Sequence, residues 1–261
     1  MRHLFFLAVA LAPCAGAQEM VSLQTRPGVT QSFFIADMGG RKAQAAALLF
    51  VGGGGVINLR MEGGRPKFGT GNFLVRARRE FIRDGVLPVI LDAPSDHARD
   101  MPDHFRAGEA HRQDVRAVLA EVRKRYPGLP LFLVGTSRGT ISVAYLAAAL
   151  GGEVAGAVQT STLFFGPGRV RPTVLSSFDW STIKVPLLFV HHVDDGCGAT
   201  PYLEARRLEQ RFPLVTVHGG KPPEGPACEP QSQHGFYGRD AETVDAIAGW
   251  MLKKPFAKEI R

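Results

Sequence analysis

Apolar residues fall along this chain in two alternating rhythms. Short unbroken runs are separated by longer stretches in which they recur every three or four positions. The runs Ala47-Leu48-Leu49-Phe50-Val51, 86–91 and Leu131-Phe132-Leu133-Val134 are apolar throughout. They predict strands covered on both sides. Residues 29–35, 154–159, 185–190 and 214–217 read as further strands, and Met38-Gly39-Gly40 as the turn after the first of them. The strand ending at Val51 runs straight into Gly52-Gly53-Gly54-Gly55.

Helical spacing fills the intervals. In 72–84, Leu74, Ala77 and Phe81 share a face, and Gly85 is the stop. In 109–126, Val115, Val118, Leu119 and Val122 share a face while arginines cover the outside. Residues 140–150 form a small-residue helix. Thr200-Pro201, cap then proline, opens a helix to residue 211. Val244, Ile247, Ala248 and Met251 line one side of a last helix over 243–252. Residues 160–184 read as an irregular connection, and 221–233 as a long proline-rich loop. Strand and helix alternate throughout, which predicts an α/β fold: a mostly parallel central sheet with helices on both faces. No repeat and no second boundary divides residues 18–261, so one domain is expected.

The first residues follow another pattern. Met1-Arg2-His3 is basic, residues 4–13 are apolar but too short to span a bilayer, and Ala15-Gly16-Ala17 precedes Gln18. This predicts a secretory signal peptide over 1–17. Leu11-Ala12-Pro13-Cys14 resembles a lipobox, with Pro13 a poor fit. No later run is long and apolar enough to cross a membrane, so stable membrane insertion is not expected.

A net charge of +7 raises the question of nucleic acid. Yet Arg76-Ala77-Arg78-Arg79-Glu80 and residues 112–125 interleave bases with acids, and no basic block is flanked by stacking aromatics. Solvated helix faces account for the charge, and no nucleic-acid partner is expected. Signal cleavage leaves Cys197 and Cys228, and export predicts a disulfide between them. The acids and histidines between Asp92 and His104 match no metal-ligand spacing, and no Cys-x-x-Cys exists. Neither metal nor cofactor is expected.

The chemistry centres on Gly135-Thr136-Ser137-Arg138-Gly139, between the run at 131–134 and the helix at 140–150. A sharp strand-to-helix turn exposes a serine hydroxyl, and flanking glycines remove the Cβ atoms that would clash there. The helix start behind Ser137 adds N–H groups for an oxyanion. Asp194 and Asp195 follow the strand at 185–190, and His234 precedes the last helix. A histidine suits a general base because one ring nitrogen accepts while the other donates. His218 ends a strand earlier. His191 and His192 adjoin the acid and read as pocket or core residues. His97, His104 and His111 precede the serine.

With serine, acid and histidine in this order, the chain resembles the α/β-hydrolase family over nearly all its length beyond residue 17. The resemblance implies Ser137 as nucleophile, His234 as base and Asp195 as the acid that orients it. Asp194 is the competitor, because His192 stands where the family usually has glycine. It also implies an oxyanion N–H from the glycine run, at Gly53 or Gly54, and a second from Arg138. Val51 stands where the family's esterases carry a histidine. A short lid is implied within 160–184, where Phe164, Phe165, Phe178 and Trp180 suit either an acyl pocket or ordinary packing. The implied activity is cleavage of a small-molecule acyl substrate, an ester before an amide or thioester. A non-catalytic binding protein on the same fold is the alternative of another class.

Overall fold

A computed structural model of the chain describes residues 18–166 and 173–261. The signal sequence read at 1–17, with Cys14, and residues 167–172 of the connection expected to form a short lid lie outside the described residues.

Eleven strands and seven helices occur among the described residues. The strands are β1 (Glu19–Arg26), β2 (Val29–Ile35), β3 (Ala45–Phe50), β4 (Arg60–Glu62), β5 (Arg65–Lys67), β6 (Val86–Leu91), β7 (Leu131–Ser137), β8 (Gly156–Thr162), β9 (Leu187–His192), β10 (Leu214–Val217) and β11 (Glu259–Ile260). The helices are α1 (Phe73–Arg76), α2 (Arg78–Arg83), α3 (Asp103–Arg106), α4 (Glu109–Arg125), α5 (Gly139–Leu150), α6 (Tyr202–Leu208) and α7 (Asp240–Met251). Nine strands form one sheet in the order β1-β2-β6-β3-β7-β8-β9-β10-β11. β1 and β2 pair antiparallel, as do β2 and β6; from β6 to β11 every pair is parallel.

Side chains alternate across a strand, and β3 shows what this does. Ala46, Leu48 and Phe50 join a core with Val115, Val118 and Leu119 of α4, Ile141 and Val143 of α5, and Ala205 of α6. Ala45, Ala47 and Leu49 join a second core with Phe73 of α1, Phe81 of α2 and Val244 and Ile247 of α7. Continuous apolar runs are therefore the signature of strands facing two hydrophobic layers.

Several boundaries differ from the sequence pattern. Residues 72–84 form two helices, because the chain kinks at Ala77 (φ −82°, ψ 5°). β1 lacks a clear apolar alternation and is specified by its antiparallel register with β2. The hairpin of β4 and β5 and the short β11 carry no apolar signature either. Phe164, Phe178 and Trp180 pack as aromatic neighbours: Phe178 and Trp180 have ring centroids 5.0 Å apart, and Trp180 lies 5.1 Å from Phe189.

Of the acids and histidines between Asp92 and His104, Asp92, Asp96 and His97 contact protein groups. Asp92 accepts the N–H groups of Ile57, Leu59 and Ala93. Asp96 pairs with Arg26, and His97 stacks on Phe105 at 3.8 Å. His111 is buried between Phe50 and Phe105, and among the described residues neither ring nitrogen has a hydrogen-bond partner. Burial pushes its pKa down to about 3, and Arg106, Arg26 and His97 add to the effect. The ring is neutral, and the unfolded chain binds its proton first as pH falls from 6.5 toward that value. His111 thus contributes stability that is complete above the unfolded value and is lost on acidification.

The loops before α6 and before α7 are joined covalently by Cys197–Cys228, which closes a loop of 31 residues.

Two outcomes follow. Replacing His111 with Leu removes about one proton from the uptake on unfolding between roughly pH 6 and pH 4. Denaturant titrations at several pH values measure this, and an unchanged slope contradicts it. Reduction of Cys197–Cys228 removes roughly 3 to 4 kcal/mol by loop entropy. Melting should fall by roughly 5–15 °C in reductant, and the same fall is expected in the Cys197→Ala/Cys228→Ala double variant.

Candidate active site

Ser137 ends β7 with φ +52°, a left-handed conformation that an L-residue adopts only under constraint. The constraint is local crowding. A Cβ on Gly135 would lie 2.6 Å from Gly139 O, and one on Gly52 would lie 2.9 Å from Ser137 Cβ. A Cβ on Gly139 would collide with Phe50 O of β3. Only glycine lets β3, β7 and α5 approach this closely. Thr140 Oγ1 donates to Ser137 O at 2.5 Å and closes the turn.

β8 carries one extra residue here: Thr136 is opposite Thr160, but Ser137 is opposite Thr162. The extra residue, Ser161, has φ +45°. Its hydroxyl donates to His234 O at 2.7 Å. The bulge thereby ties the serine strand to the histidine loop.

His234 lies in a short 3-10 turn, Gln233–Gly235, capped by Ser232, whose hydroxyl accepts the His234 N–H. Arg76 grips this loop from α1. Its guanidinium donates to Pro230 O at 2.9 Å and Gly235 O at 2.5 Å, and pairs with Asp240 at 2.7 Å. Arg76 was expected on a solvated helix face; its fork is instead directed at the carbonyls flanking His234.

The carboxylate at the His234 ring is that of Asp195. Its Oδ2 lies 3.1 Å from His234 Nδ1, and its side chain is fully buried. Asp195 Oδ1 accepts the Cys197 N–H at 2.9 Å, and Oδ2 accepts the Thr200 hydroxyl at 2.7 Å. Asp194 is exposed. The separation of these neighbours has a cause in His192. Its Nε2–H donates to Gly219 O at 2.9 Å, so its Nδ1 accepts the Asp194 N–H at 3.1 Å. The turn closed by Asp195 N–H on His192 O then sends the second carboxylate inward.

Thr200 is the residue that the pattern misassigned. Its expected role was to cap α6, but α6 begins after Pro201. Thr200 Oγ1 instead sits between Asp195 Oδ2 and His234 Nδ1, at 2.7 and 3.1 Å. Having donated to the carboxylate, it offers a lone pair to the ring. Two acceptors then face Nδ1, which assigns the ring proton there and leaves Nε2 as the unprotonated atom. The signal available in sequence was its position five residues after Asp195, which is ambiguous with a helix cap.

The remaining histidines have other work. His191 is buried beneath the acid loop; its Nε2 accepts the Thr162 N–H at 2.9 Å, and burial pushes it down to about 3. The His218 backbone N–H donates to Ile260 O, and its carbonyl accepts from the Arg239 side-chain Nε.

Ser137 and His234 line one cavity of about 260 Å³, together with Gly52, Gly53, Gly54 and Asn72. Among the described residues the Ser137 hydroxyl makes no hydrogen bond to His234. Such bonds often tighten only with substrate bound. None of Phe164, Phe165, Phe178 and Trp180 lines this cavity. Gly55 N–H is taken by Gly52 O at 3.1 Å, whereas Gly53 and Gly54 border the cavity. Arg138 is the N-cap of α5, and its backbone N–H adjoins Ser137 at the positive end of that helix. The arrangement offers a hydroxyl, an oriented imidazole, a buried carboxylate and backbone donors around one small space.

No protein-family model and no curated protein matches the chain. Solved structures do. A serine hydrolase without a lid from Xanthomonas campestris aligns at 19% identity and TM-score 0.55, over 90% of this chain and 96% of that one. Est1E from Butyrivibrio proteoclasticus, solved with ferulic acid, aligns at 15% identity and TM-score 0.61, over 90% and 98%. A soluble variant of monoglyceride lipase from Saccharomyces cerevisiae, solved with a substrate analog, aligns at 13% identity and TM-score 0.59, over 94% and 98%. Strand order, the turn at Ser137 and these likenesses agree that the chain has the α/β-hydrolase fold.

Proposed function

We propose that this protein is an exported serine hydrolase that cleaves carboxylic esters. The observation that carries the reading is the Asp195–His234 contact at 3.1 Å beside a left-handed serine that borders the same cavity as His234. Ser137 Oγ attacks the acyl carbonyl while His234 Nε2 takes its proton. The oxyanion is held by the Arg138 N–H and by the N–H of Gly53 or Gly54. The imidazolium, stabilised by Asp195, returns the proton to the departing alcohol. Water, deprotonated by His234, then attacks the acyl-enzyme and frees Ser137. Each step conserves atoms and protons without a cofactor.

Two things support an ester as the substrate. The cavity of about 260 Å³ suits a compact acyl group. Several proteins sharing the fold are esterases, one of them solved with ferulic acid. Export is supported by the leader at residues 1–17 and by the Cys197–Cys228 bond, which persists in oxidising compartments. Mass spectrometry of the exported chain should find Gln18 at its N-terminus.

A fluorophosphonate probe should label the wild-type protein and leave Ser137→Ala unlabelled. Labelling that survives in that variant rejects the nucleophile; no labelling and no turnover in the wild type favours a non-catalytic binding protein. On a panel of aryl esters, amides and thioesters, the esters should turn over fastest. His234→Ala and Asp195→Asn should each lower kcat by roughly three decades or more, with Asp194→Asn near wild type. Thr200→Val should keep the fold and lower kcat by roughly 3- to 10-fold. Equal losses in Asp194→Asn and Asp195→Asn would reject the assigned acid.

A further inference from the structure

Four successive glycines are a poor way to hold a hydrogen-bond donor still, because glycine has more backbone freedom to lose than any other residue. An oxyanion site works only if its donors are oriented before the charge develops. Something outside Gly52–Gly55 must therefore hold that run in place.

The buried guanidinium of Arg106 meets this need. Arg106 ends α3 and is 1% exposed. Its Nη2 donates to Gly53 O at 3.0 Å, its Nε to Met101 O at 3.1 Å and its Nη1 to Ser142 Oγ at 3.4 Å. Among the described residues none of its hydrogen bonds goes to a carboxylate. Burial pushes it down to about 10, so it remains a cation at neutral pH. Desolvating a cation that has no hydrogen-bonded carboxylate is costly, and Asp103 and Asp100 offset this only through space. An apolar side chain would pack here at lower cost, so packing alone does not explain arginine.

A second arginine reaches the same two carbonyls from the surface. Arg138 Nη1 donates to Gly53 O at 3.2 Å and Nη2 to Met101 O at 3.1 Å, while Asp100 and Asp103 each hold its fork at 2.9 Å. Met101 N–H in turn donates to Gly54 O at 2.8 Å. Gly55, at φ +78°, leaves the room this requires: a Cβ there would lie 2.6 Å from Arg106 Nη2. A trans peptide points its C=O and N–H in opposite directions. With Gly53 O gripped by two guanidiniums, Gly54 N–H faces away from both, and the two cations polarise that peptide toward stronger donation.

We propose that Arg106, seconded by the Arg138 side chain, is a positioning residue: it grips the Gly53 carbonyl and so fixes the glycine run for transition-state binding. The proposal rests on the reading of that run as the oxyanion loop of a serine hydrolase. It separates two roles in Arg138, whose backbone N–H is a donor to substrate and whose side chain orients the opposite donor.

The test compares Arg106→Gln, Arg106→Lys, Arg138→Gln and the Arg106→Gln/Arg138→Gln double variant, each shown to be folded by circular dichroism, on a short aryl ester. Arg106→Gln should lose roughly 10- to 100-fold in kcat, with KM within about threefold. Arg106→Lys, which keeps the charge but not the fork, should recover part of the loss. Arg138→Gln should lose about threefold or more, because Arg106 still holds the carbonyl, and the double variant should lose more than the product of the singles. Fluorophosphonate labelling of Ser137 should slow in parallel with kcat. Wild-type kcat in folded Arg106→Gln, or a change confined to KM, overturns the proposal. If Arg106→Gln fails to fold, Arg138→Gln decides: its side chain is 28% exposed, and an unchanged kcat overturns the grip. A wild-type protein that is not labelled at Ser137 overturns the hydrolase reading and the grip together. Normal labelling and normal kcat in the arginine variants overturn the grip alone.

Discussion

Three backbones meet at Ser137 with no room for side chains, and much of the site follows from that crowding. β3 approaches the start of α5 so closely that a Cβ on Gly139 has no place beside Phe50 O. β7 must then leave the sheet at once, which drives Ser137 into a left-handed conformation with φ +52°. Such strain costs of order 1–3 kcal/mol and persists only where the surroundings over-determine it. Here they do: parallel pairing to β3 and β8 on either side, Thr140 on the Ser137 carbonyl, and glycines wherever atoms would collide. Exposure of the serine hydroxyl is thus a consequence of sheet packing.

The other site groups sit on loops, and loops need anchors. The histidine loop is held from four directions: Ser161 from the bulge of β8, Ser232 at its cap, Arg76 on the flanking carbonyls, and the disulfide to the acid loop. The acid loop is held by the N–H of Cys197, the hydroxyl of Thr200 and the ring of His192. The Cys197 half of the disulfide is also a donor to Asp195, so one residue joins covalent and polar restraint. Arginine recurs because its planar fork holds several donors in fixed directions toward separate carbonyls, whereas lysine offers a compact ammonium on a flexible stem.

Among the charged residues, position in space overrides the sequence pattern. Arg76 and Arg78 look alike in a run of bases, yet Arg76 grips the histidine loop while Arg78, at the start of α2, donates to Val75 O of α1. Arg106 carries no periodic signal of burial, and His111 looks like a polar position on an amphipathic helix. Both are buried because α3 and the start of α4 lie against the glycine run and Phe50. Helical periodicity reports which face is apolar; it is blind to a polar group whose partners are backbone carbonyls from another loop.

The chain by itself determined the buried central strands of the sheet, the order of serine, acid and histidine, and the glycines that the turn requires, because each of these is written in contiguous residues; the edge strands β1 and β11 were not legible in this way. Apolar runs of strand length specify buried strands, and a glycine-flanked serine between strand and helix specifies its own turn. The tertiary structure decided which of two adjacent aspartates faces His234, that Thr200 serves the site instead of a helix cap, and that two arginines converge on one glycine carbonyl. Those choices depend on where loops from distant parts of the chain come to rest. Hydrogen bonding across such distances leaves no periodicity to read.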